Sequence, residues 1–217
     1  MPLDPAAPKE RVQNLVSACN ASVVLCSRNH AQSLENIADN IVPVDFESIE
    51  PLPTPSQYPL SNVHSHNAAY IIPTSGTTGQ PKLTVVEHGN FCTGAKGHIP
   101  GLAMDTLEAP RVLQFAAHSF DASIIELITP LMIGGTICIP DEQTRLNDVS
   151  KAINDMRVTH ALLTPTFVRF LEPAMVPTLV TIVLMGEAMS QANLDTWSKI
   201  NLVNGYVPFI LTGWKAH

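Results

Sequence analysis

From residue 111 onward, short apolar segments alternate with segments whose apolar residues recur at helical spacing. The strand-like segments are RVLQFA (111–116), TICIP (136–140), HALLT (160–164), LVTIVLMG (179–186) and NLVNGY (201–206). Helical patterns cover residues 122–132, 145–156, PTFVRFL (165–171) and SQANLDTWSKI (190–200), the last with a serine cap. This alternation predicts βαβ units, and therefore an α/β fold with a mostly parallel sheet and helices packed on it.

The first part of the chain reads differently. Short strands are predicted in ASVVLCS (21–27), IVPV (41–44), AAYII (68–72) and LTVVEH (83–88). The last two flank a polar, glycine-rich stretch, so residues 70–87 are a candidate hairpin. Residues 45–67 hold four prolines, at positions 51, 53, 55 and 59, and are expected to form a polar loop or crossover.

Composition narrows the function classes. Hydrophobic residues make up 45% of the chain, which allows a sizeable core. The net charge is −7 and basic residues form no run, which disfavours a nucleic-acid binder. The most apolar tract, residues 122–140, contains Glu126, Pro130 and a Gly-Gly pair, so no membrane span is expected there.

Cysteine usage gives no sign of a metal ribbon or a redox motif. The four cysteines include no C-x-x-C pair, and the N-terminal stretch MPLDPAAPKER is not followed by an apolar leader. Free thiols and a cytoplasmic location are therefore expected, and no metal site is predicted.

The stretch PTSGTTGQPK (73–82) follows directly on the apolar AAYII segment. Backbone N–H groups of a glycine-rich turn can converge on phosphate oxygens, hydroxyls add donors, and a lysine adds positive charge. The spacing G-x-x-G-x-x-K differs from that of a P-loop. Phosphate binding is one interpretation, and a flexible hairpin tip is the other.

Four stretches in order resemble the adenylate-forming superfamily, in particular the adenylation domains of nonribosomal peptide synthetases. YIIPTSGTTGQPK (70–82) is similar to the family's phosphate loop, and PLDPAAPKERVQ (2–13) to a motif upstream of it. FDAS (120–123), followed by Glu126, looks like the amino-acid site. GEAMS (186–190) and NGY (204–206) look like the two adenine-site segments.

The resemblance implies a role for each matching position. The phosphate loop would fold over ATP with Thr74, Ser75, Gly76, Thr77, Thr78, Gly79 and Lys82. Residues bordering the adenine and the α-phosphate would be Gly186, Glu187, Ala188, Asn204, Gly205 and Tyr206. Asp121 would pair with the α-ammonium group of an amino acid, although its place before a helical stripe also suits a helix N-cap. Apolar or small residues would line the side-chain pocket: Ala122, Ile125, Leu162, Val183, Met185 and Gly205.

Several positions depart from the family pattern. Leu83 stands where the family has glycine, and Pro73 replaces a usual aromatic residue. After NGY the family continues Gly-Pro-Thr-Glu, whereas here Val207, Phe209 and Ile210 occupy the first, third and fourth of these positions. In the family that threonine contacts phosphate and that glutamate helps to hold Mg²⁺. Residues 1–206 are therefore expected to be part of the large N-terminal subdomain of an adenylation domain, and 207–217 an aberrant tail.

Two functions from different classes follow. The first is ATP- and Mg²⁺-dependent activation of an apolar α-amino acid as its aminoacyl-AMP, within a parent enzyme that also carries a carrier-protein domain. The second is a catalytically incompetent remnant that binds nucleotide weakly or not at all, since the hinge and the small domain with the catalytic lysine are not found in this sequence. An acyl-CoA synthetase is a third alternative, which Asp121 disfavours because a fatty acid would leave its carboxylate unpaired. Neither a nucleic acid nor a membrane is expected as a partner.

Overall fold

The computed structural model describes residues 1–49, 62–74 and 82–205, and it divides into two compact units, residues 1–90 and residues from 91 onward. Each unit is described by itself. None of the helices in the described ranges combines the length and the apolar character that crossing a membrane requires.

The first unit begins with a small parallel sheet backed by a helix. Its elements are α1 (Lys9–Ala18), β1 (Val23–Cys26), α2 (Arg28–Ala31), β2 (Asn40–Pro43) and α3 (Phe46–Ile49). β1 and β2 pair in parallel, with Val24 opposite Ile41. α1 packs Val12 and Val16 against Val24 in one apolar cluster. Both predicted strands are confirmed, the first with shorter bounds and the second shifted by one residue. The loop predicted over 45–67 is wrong at its start, where α3 forms.

A hairpin completes the first unit. β3 (Ala68–Thr74) and β4 (Lys82–Glu87) are antiparallel, with a register irregularity between Ala68 and Tyr70. Thr74 lies opposite Lys82 at the end of the ladder. The predicted hairpin over 70–87 is thus confirmed in its strands, and its tip, residues 75–81, lies outside the described residues.

The second unit contains the parallel sheet. Its elements are α4 (His88–Gly101, which begins in the first unit), β5 (Arg111–Leu113), α5 (Asp121–Met132), β6 (Thr136–Cys138), α6 (Glu142–Asn147), α7 (Val149–Asp155), β7 (His160–Leu163), two 3₁₀ turns (Phe167–Phe170 and Pro173–Met175), β8 (Thr181–Leu184), α8 (Gln191–Trp197) and β9 (Asn201–Asn204). The five strands are ordered β6-β5-β7-β8-β9, and every pair is parallel. The α/β fold with a mostly parallel sheet is confirmed.

The two faces of this sheet carry separate apolar clusters. All four residues of β7 and all four of β8 are buried, as expected for a parallel strand covered on both sides. Because side chains alternate along a strand, Leu163 and Leu184 join one cluster with Ile153 and Trp197. Leu162 and Val183 join the other, as developed below.

Three predicted elements have different bounds in the structure. The single helix over 145–156 is broken at Asp148, whose φ of −150° leaves the helix and whose Oδ1 accepts the Lys151 N–H at 3.1 Å as the cap of α7. The strand over 111–116 ends at Leu113. The Gln114 N–H still bonds to Cys138 O at 2.9 Å, but the N–H groups of Phe115 and Ala116 bond to the Glu126 side chain instead of a neighbouring strand. The short helix over 165–171 is a 3₁₀ turn.

None of the helices α1 to α4 was predicted from the sequence. α1 buries Val12, Leu15 and Val16, which have helical spacing after Pro8. α4 contains four glycines besides Pro100 and buries Ala95 alone among its side chains, so its sequence carries almost no apolar stripe.

A buried histidine fixes the N-terminal edge of the sheet. His160 opens β7 and is fully buried. Its Nε2 lies 2.9 Å from the carbonyl oxygen of Ala103, and its Nδ1 lies 2.8 Å from the Thr159 hydroxyl. Because a carbonyl can only accept, Nε2 carries the proton and Nδ1 accepts from Thr159. Burial lowers the pKa of His160 below its ordinary value.

This histidine predicts acid sensitivity. A histidine pKa lowered by folding means that the unfolded chain binds more protons, so stability is lost as pH falls below the ordinary pKa of about 6.5. His160→Gln should reduce the slope of unfolding free energy between pH 5 and 6.5, by at most about 1.4 kcal/mol per pH unit. Denaturant titrations across that range measure it. The exposed His30→Gln is the control, and equal slopes in wild type and H160Q would contradict the assignment.

Candidate active site

The predicted site residues of the second unit lie along one edge of the parallel sheet. In a parallel sheet all carboxyl ends meet at the same edge, which is where open α/β sheets bind ligands. Met185, Gly186 and Glu187 follow β8, and Asn204 with Gly205 ends β9. Asp121 begins the helix that follows β5. The backbone continues the ladder there, since Gly205 N donates to Leu184 O at 2.8 Å and Met185 N to Leu163 O at 3.0 Å.

Asp121 is the first residue of α5 and is not its cap. Phe120 occupies the N-cap position and makes no capping bond with its side chain. The Asp121 Oδ1 accepts the backbone N–H of Ala122 at 2.9 Å. Burial raises the pKa of Asp121, and the N–H groups of Ala122 and of Asp121 itself oppose that rise. Among the described residues no basic side chain forms an ion pair with it.

Four of the predicted pocket residues belong to one apolar cluster. Leu162 lies opposite Val183 in the ladder, and Val183 lies opposite Val203, so the three side chains form a row on one face of the sheet. Leu162 and Val183 are buried, and Ile125 and Met185 pack against them while half-buried. Leu102 and Met104, which follow α4, are buried in the same cluster and were not predicted.

Two glycines of the predicted site meet different constraints. Gly186 has φ +83°, a left-handed conformation that L side chains rarely adopt. Gly205 is buried, and a Cβ placed there would lie 2.6 Å from Val183 Cγ1 and 3.4 Å from Met185 Cβ. Any side chain at position 205 would therefore displace the pocket residues.

The turns after β7 and β8 are joined by a carboxylate. Glu187 Oε2 accepts the backbone N–H of Thr166 at 3.0 Å and its hydroxyl at 2.5 Å. Thr164 also lies beside this turn, with its Cγ2 3.8 Å from where a Cβ on Gly186 would be. Gly186, Glu187 and Ala188 are exposed, so the turn is accessible to a ligand while Thr166 restrains it.

Sequence reasoning gave no role to Glu126, although it was part of the quoted motif. Its side chain is fully buried in α5, and Oε2 accepts the N–H groups of Phe115 and Ala116, each at 3.0 Å. Burial raises its pKa to about 8, while these donors, Gln114 and Arg145 act in the opposite direction. Glu126 therefore binds the segment that leads from β5 toward Asp121.

The predicted phosphate-loop residues lie in the first unit. Thr74 ends β3 and Lys82 begins β4, so both stand at the base of the hairpin turn. Ser75, Gly76, Thr77, Thr78 and Gly79 lie outside the described residues, as does Tyr206 at the adenine-site end of the chain. Their roles stay predictions.

A shallow groove of about 390 Å³ lies elsewhere, between the 3₁₀ turns after β7 and helix α8. Its lining includes Val168, Leu171 and Trp197 and none of the predicted site residues. The strand-end edge is therefore the better candidate site, because it collects a half-buried carboxyl group, an apolar cluster and an accessible turn. No group of three or more metal-ligating side chains occurs within the described ranges.

Solved structures share this fold. A FmoA3 nonribosomal peptide synthetase bound to AMPPNP superposes with a TM-score of 0.80 at 22% identity, over 95% of this chain and 23% of that one. The Vibrio cholerae adenylation domain AlmE, in complex with glycyl-adenosine-5′-phosphate, gives 0.73 at 20% identity, over 95% and 45%. At this identity the likeness establishes the fold: that of an adenylate-forming enzyme domain.

The family follows from sequence comparison. Residues 1–208 match the AMP-binding enzyme family, so the chain belongs to it. Nonribosomal peptide synthetase 1 of Aspergillus fumigatus is 48% identical over 96% of this chain, and nonribosomal peptide synthetase apmB of Penicillium brevicompactum is 40% identical over 95%. The chain spans only 3% and 9% of those proteins. The resemblance to the peptide-synthetase branch is confirmed.

The Glu187–Thr166 contact yields a prediction. Thr166→Val removes the hydroxyl donor and keeps the side-chain shape, so the turn over 186–188 should lose a charge-assisted bond. Because the pair is exposed, the loss should be about 1 kcal/mol, which is roughly fivefold faster amide exchange in that turn. Hydrogen exchange measures it. Thr166→Ser keeps the donor and should exchange like wild type, and faster exchange in both variants would show that the bond does not restrain the turn.

Proposed function

We propose that this chain is the part of an adenylation domain that binds ATP and an apolar α-amino acid and forms the aminoacyl-AMP, with release of pyrophosphate. The proposal rests above all on Asp121. A half-buried carboxyl group that lacks a basic partner among the described residues, one helical turn before Ile125 of the apolar cluster, needs a cation to offset its desolvation. The α-ammonium group of an amino acid supplies one.

The class of side chain follows from the cluster next to Asp121. Ile125, Leu162, Val183 and Met185 offer no hydrogen-bond partner, so a polar side chain would lose its hydration without compensation. Gly205 adds no side chain to this volume. Met185 is flexible and can pack around different shapes, so selectivity among apolar amino acids should be broad.

Each group has a defined part in the reaction. A carboxylate oxygen of the amino acid attacks the α-phosphorus of ATP, a new P–O bond forms, and the bond to pyrophosphate breaks. Asp121 would hold the ammonium group and thereby aim the carboxylate. The turn over 186–188, with Gly205, would border the adenine and the α-phosphate, and Lys82 would supply positive charge for the phosphates. Mg²⁺ would neutralise phosphate charge, and no described residue is assigned to it.

A non-catalytic remnant is the second candidate, and a specific observation favours it. Val207, Phe209 and Ile210 occupy positions where the family has Gly, Thr and Glu. The threonine and the glutamate would stabilise charge on the phosphates and their metal ion. Losing one such group typically costs about 10²–10³ in rate.

These candidates differ in one assay. The purified 217-residue chain should show little or no pyrophosphate exchange that depends on an amino acid. A chimera completed with the corresponding remainder of the Aspergillus fumigatus relative should show it. Robust exchange by the chain alone would exclude the remnant. A well-folded but inactive chimera would contradict the enzymatic proposal for these residues.

The chimera also tests Asp121. Asp121→Asn keeps the shape and removes the charge, so activation of leucine should fall by about 100-fold or more, the cost of breaking a buried ion pair. The same change should affect α-hydroxy acids little. Asp105→Asn, at an exposed carboxyl group in the α4–β5 connection, is the control. Preference for aspartate, glutamate or lysine, or indifference to Asp121→Asn, would show that the pocket assignment is wrong.

A further inference from the structure

The connection between β5 and α5 is held at both ends by hydrogen bonds to side chains of α5. It comprises residues 114–120, between Leu113 and Asp121. At its start, Glu126 accepts the N–H groups of Phe115 and Ala116 at 3.0 Å each. At its end, the hydroxyl of Ser123 donates to Phe120 O at 2.6 Å, with a longer 3.2 Å contact to His118 O. Glu126 and Ser123 are both fully buried.

A second helix, α6, also bonds to the start of this connection. The Arg145 guanidinium of α6 donates from Nη1 to Phe115 O at 2.9 Å and lies 5.8 Å from the centre of the Phe115 ring. Gln114 Nε2 donates to Ala116 O at 2.6 Å and lies 3.5 Å from Glu126 Oε2. Arg145 is the charged side chain that acts on Glu126 in the described structure. Both the N–H and the C=O groups of this short segment are thereby held by side chains.

We propose that Glu126 is a positioning residue, which holds the β5–α5 connection so that the carboxylate of Asp121 stays at the strand-end edge of the sheet. This inference rests on the proposed function in one respect only, the role of Asp121 as the ammonium anchor. The physical reason is chain continuity. Asp121 directly follows the connection that Glu126 and Ser123 hold by hydrogen bonds, and both of these residues belong to α5, the helix that Asp121 begins.

A carboxylate suits this position better than an amide of the same shape. Its two oxygens are acceptors only, and they receive the N–H groups of Phe115 and Ala116 and approach Gln114 Nε2. A glutamine would turn an NH₂ group toward one of these donors, and the hydrogen bond to that donor would be lost. Protonation of Glu126 would have the same effect, and burial brings its pKa to about 8. The hydrogen bonds between Glu126 and the connection should therefore strengthen as pH rises through that range.

The experiment uses the full chain and a reporter at Asp121. The Ala122 N–H donates to Asp121 Oδ1 at 2.9 Å, so its NMR shift reports on that carboxylate. In wild type, the amides of Phe115, Ala116 and Ala122 should share one titration step whose midpoint equals that of the Glu126 carboxyl carbon, and Ala122 should show a second step from Asp121 itself. Glu126→Gln should abolish this titration at all three, while the exposed Glu142→Gln should leave it intact. If Ala122 does not follow the Glu126 midpoint, the role is local and the proposal fails, and wild type alone decides this even if the variant does not fold.

Ligand titrations separate this inference from the proposed function. Glu126→Gln should weaken leucine binding about tenfold and leave AMP binding unchanged, because the turn over 186–188 is held by the bonds of Glu187 to Thr166 and not by a bond to Glu126. An equal loss of both ligands would indicate a general structural defect and overturn the proposal. If wild type binds no leucine, the proposed function fails for this chain, and the shared titration of Ala122 and Glu126 still decides the positioning role.

Discussion

The parallel pairing of β7 with β8 is the constraint on which the second unit depends. Every residue of both strands is buried, so their backbone groups can bond only to neighbouring strands, and their side chains must be apolar or fully partnered. The two polar exceptions, His160 and Thr181, stand at the first positions of the strands. After the last residues of β7 and β8, the ladder bonds continue from Met185 N to Leu163 O and from Gly205 N to Leu184 O. The proposed site is therefore built directly on the buried strands of the sheet.

Local sequence patterns predicted the elements whose formation is decided locally. The apolar runs of β7 and β8, the stripe of α5 and the Ser190 cap of α8 each carry their signal within a few residues. α1 could have been found in the same way, from Val12, Leu15 and Val16 after Pro8. The break at Asp148 was less accessible, because an aspartate suits both a helix surface and a cap, and the apolar spacing continues through it.

The sequence indicated which residues stand at the strand-end edge, but not the bonds that connect them; the roles of these residues stay predictions. Period-two alternation places Leu162 and Val183 on the face opposite Leu163 and Leu184, and the motif resemblance selects the residues at the strand ends. The bonds of Glu187 to Thr166 and of Glu126 to Phe115 and Ala116 join residues far apart in the chain or end a strand early. No pattern in the sequence encodes these side chain–backbone contacts, because they depend on how the elements pack.

The two acidic residues of α5 show how environment divides similar groups. Asp121 and Glu126 are both withdrawn from water, and burial raises the pKa of each. Glu126 is fully buried and accepts backbone N–H groups of Phe115 and Ala116, so it acts on the chain itself and not on a ligand. Among the described residues, the Asp121 side chain accepts from N–H groups at the start of its own helix, which leaves acceptor capacity for a ligand. The buried Glu126 carboxylate bonds to backbone N–H groups and holds the chain, whereas the half-buried Asp121 carboxylate can select a cation. α5 carries both within two turns.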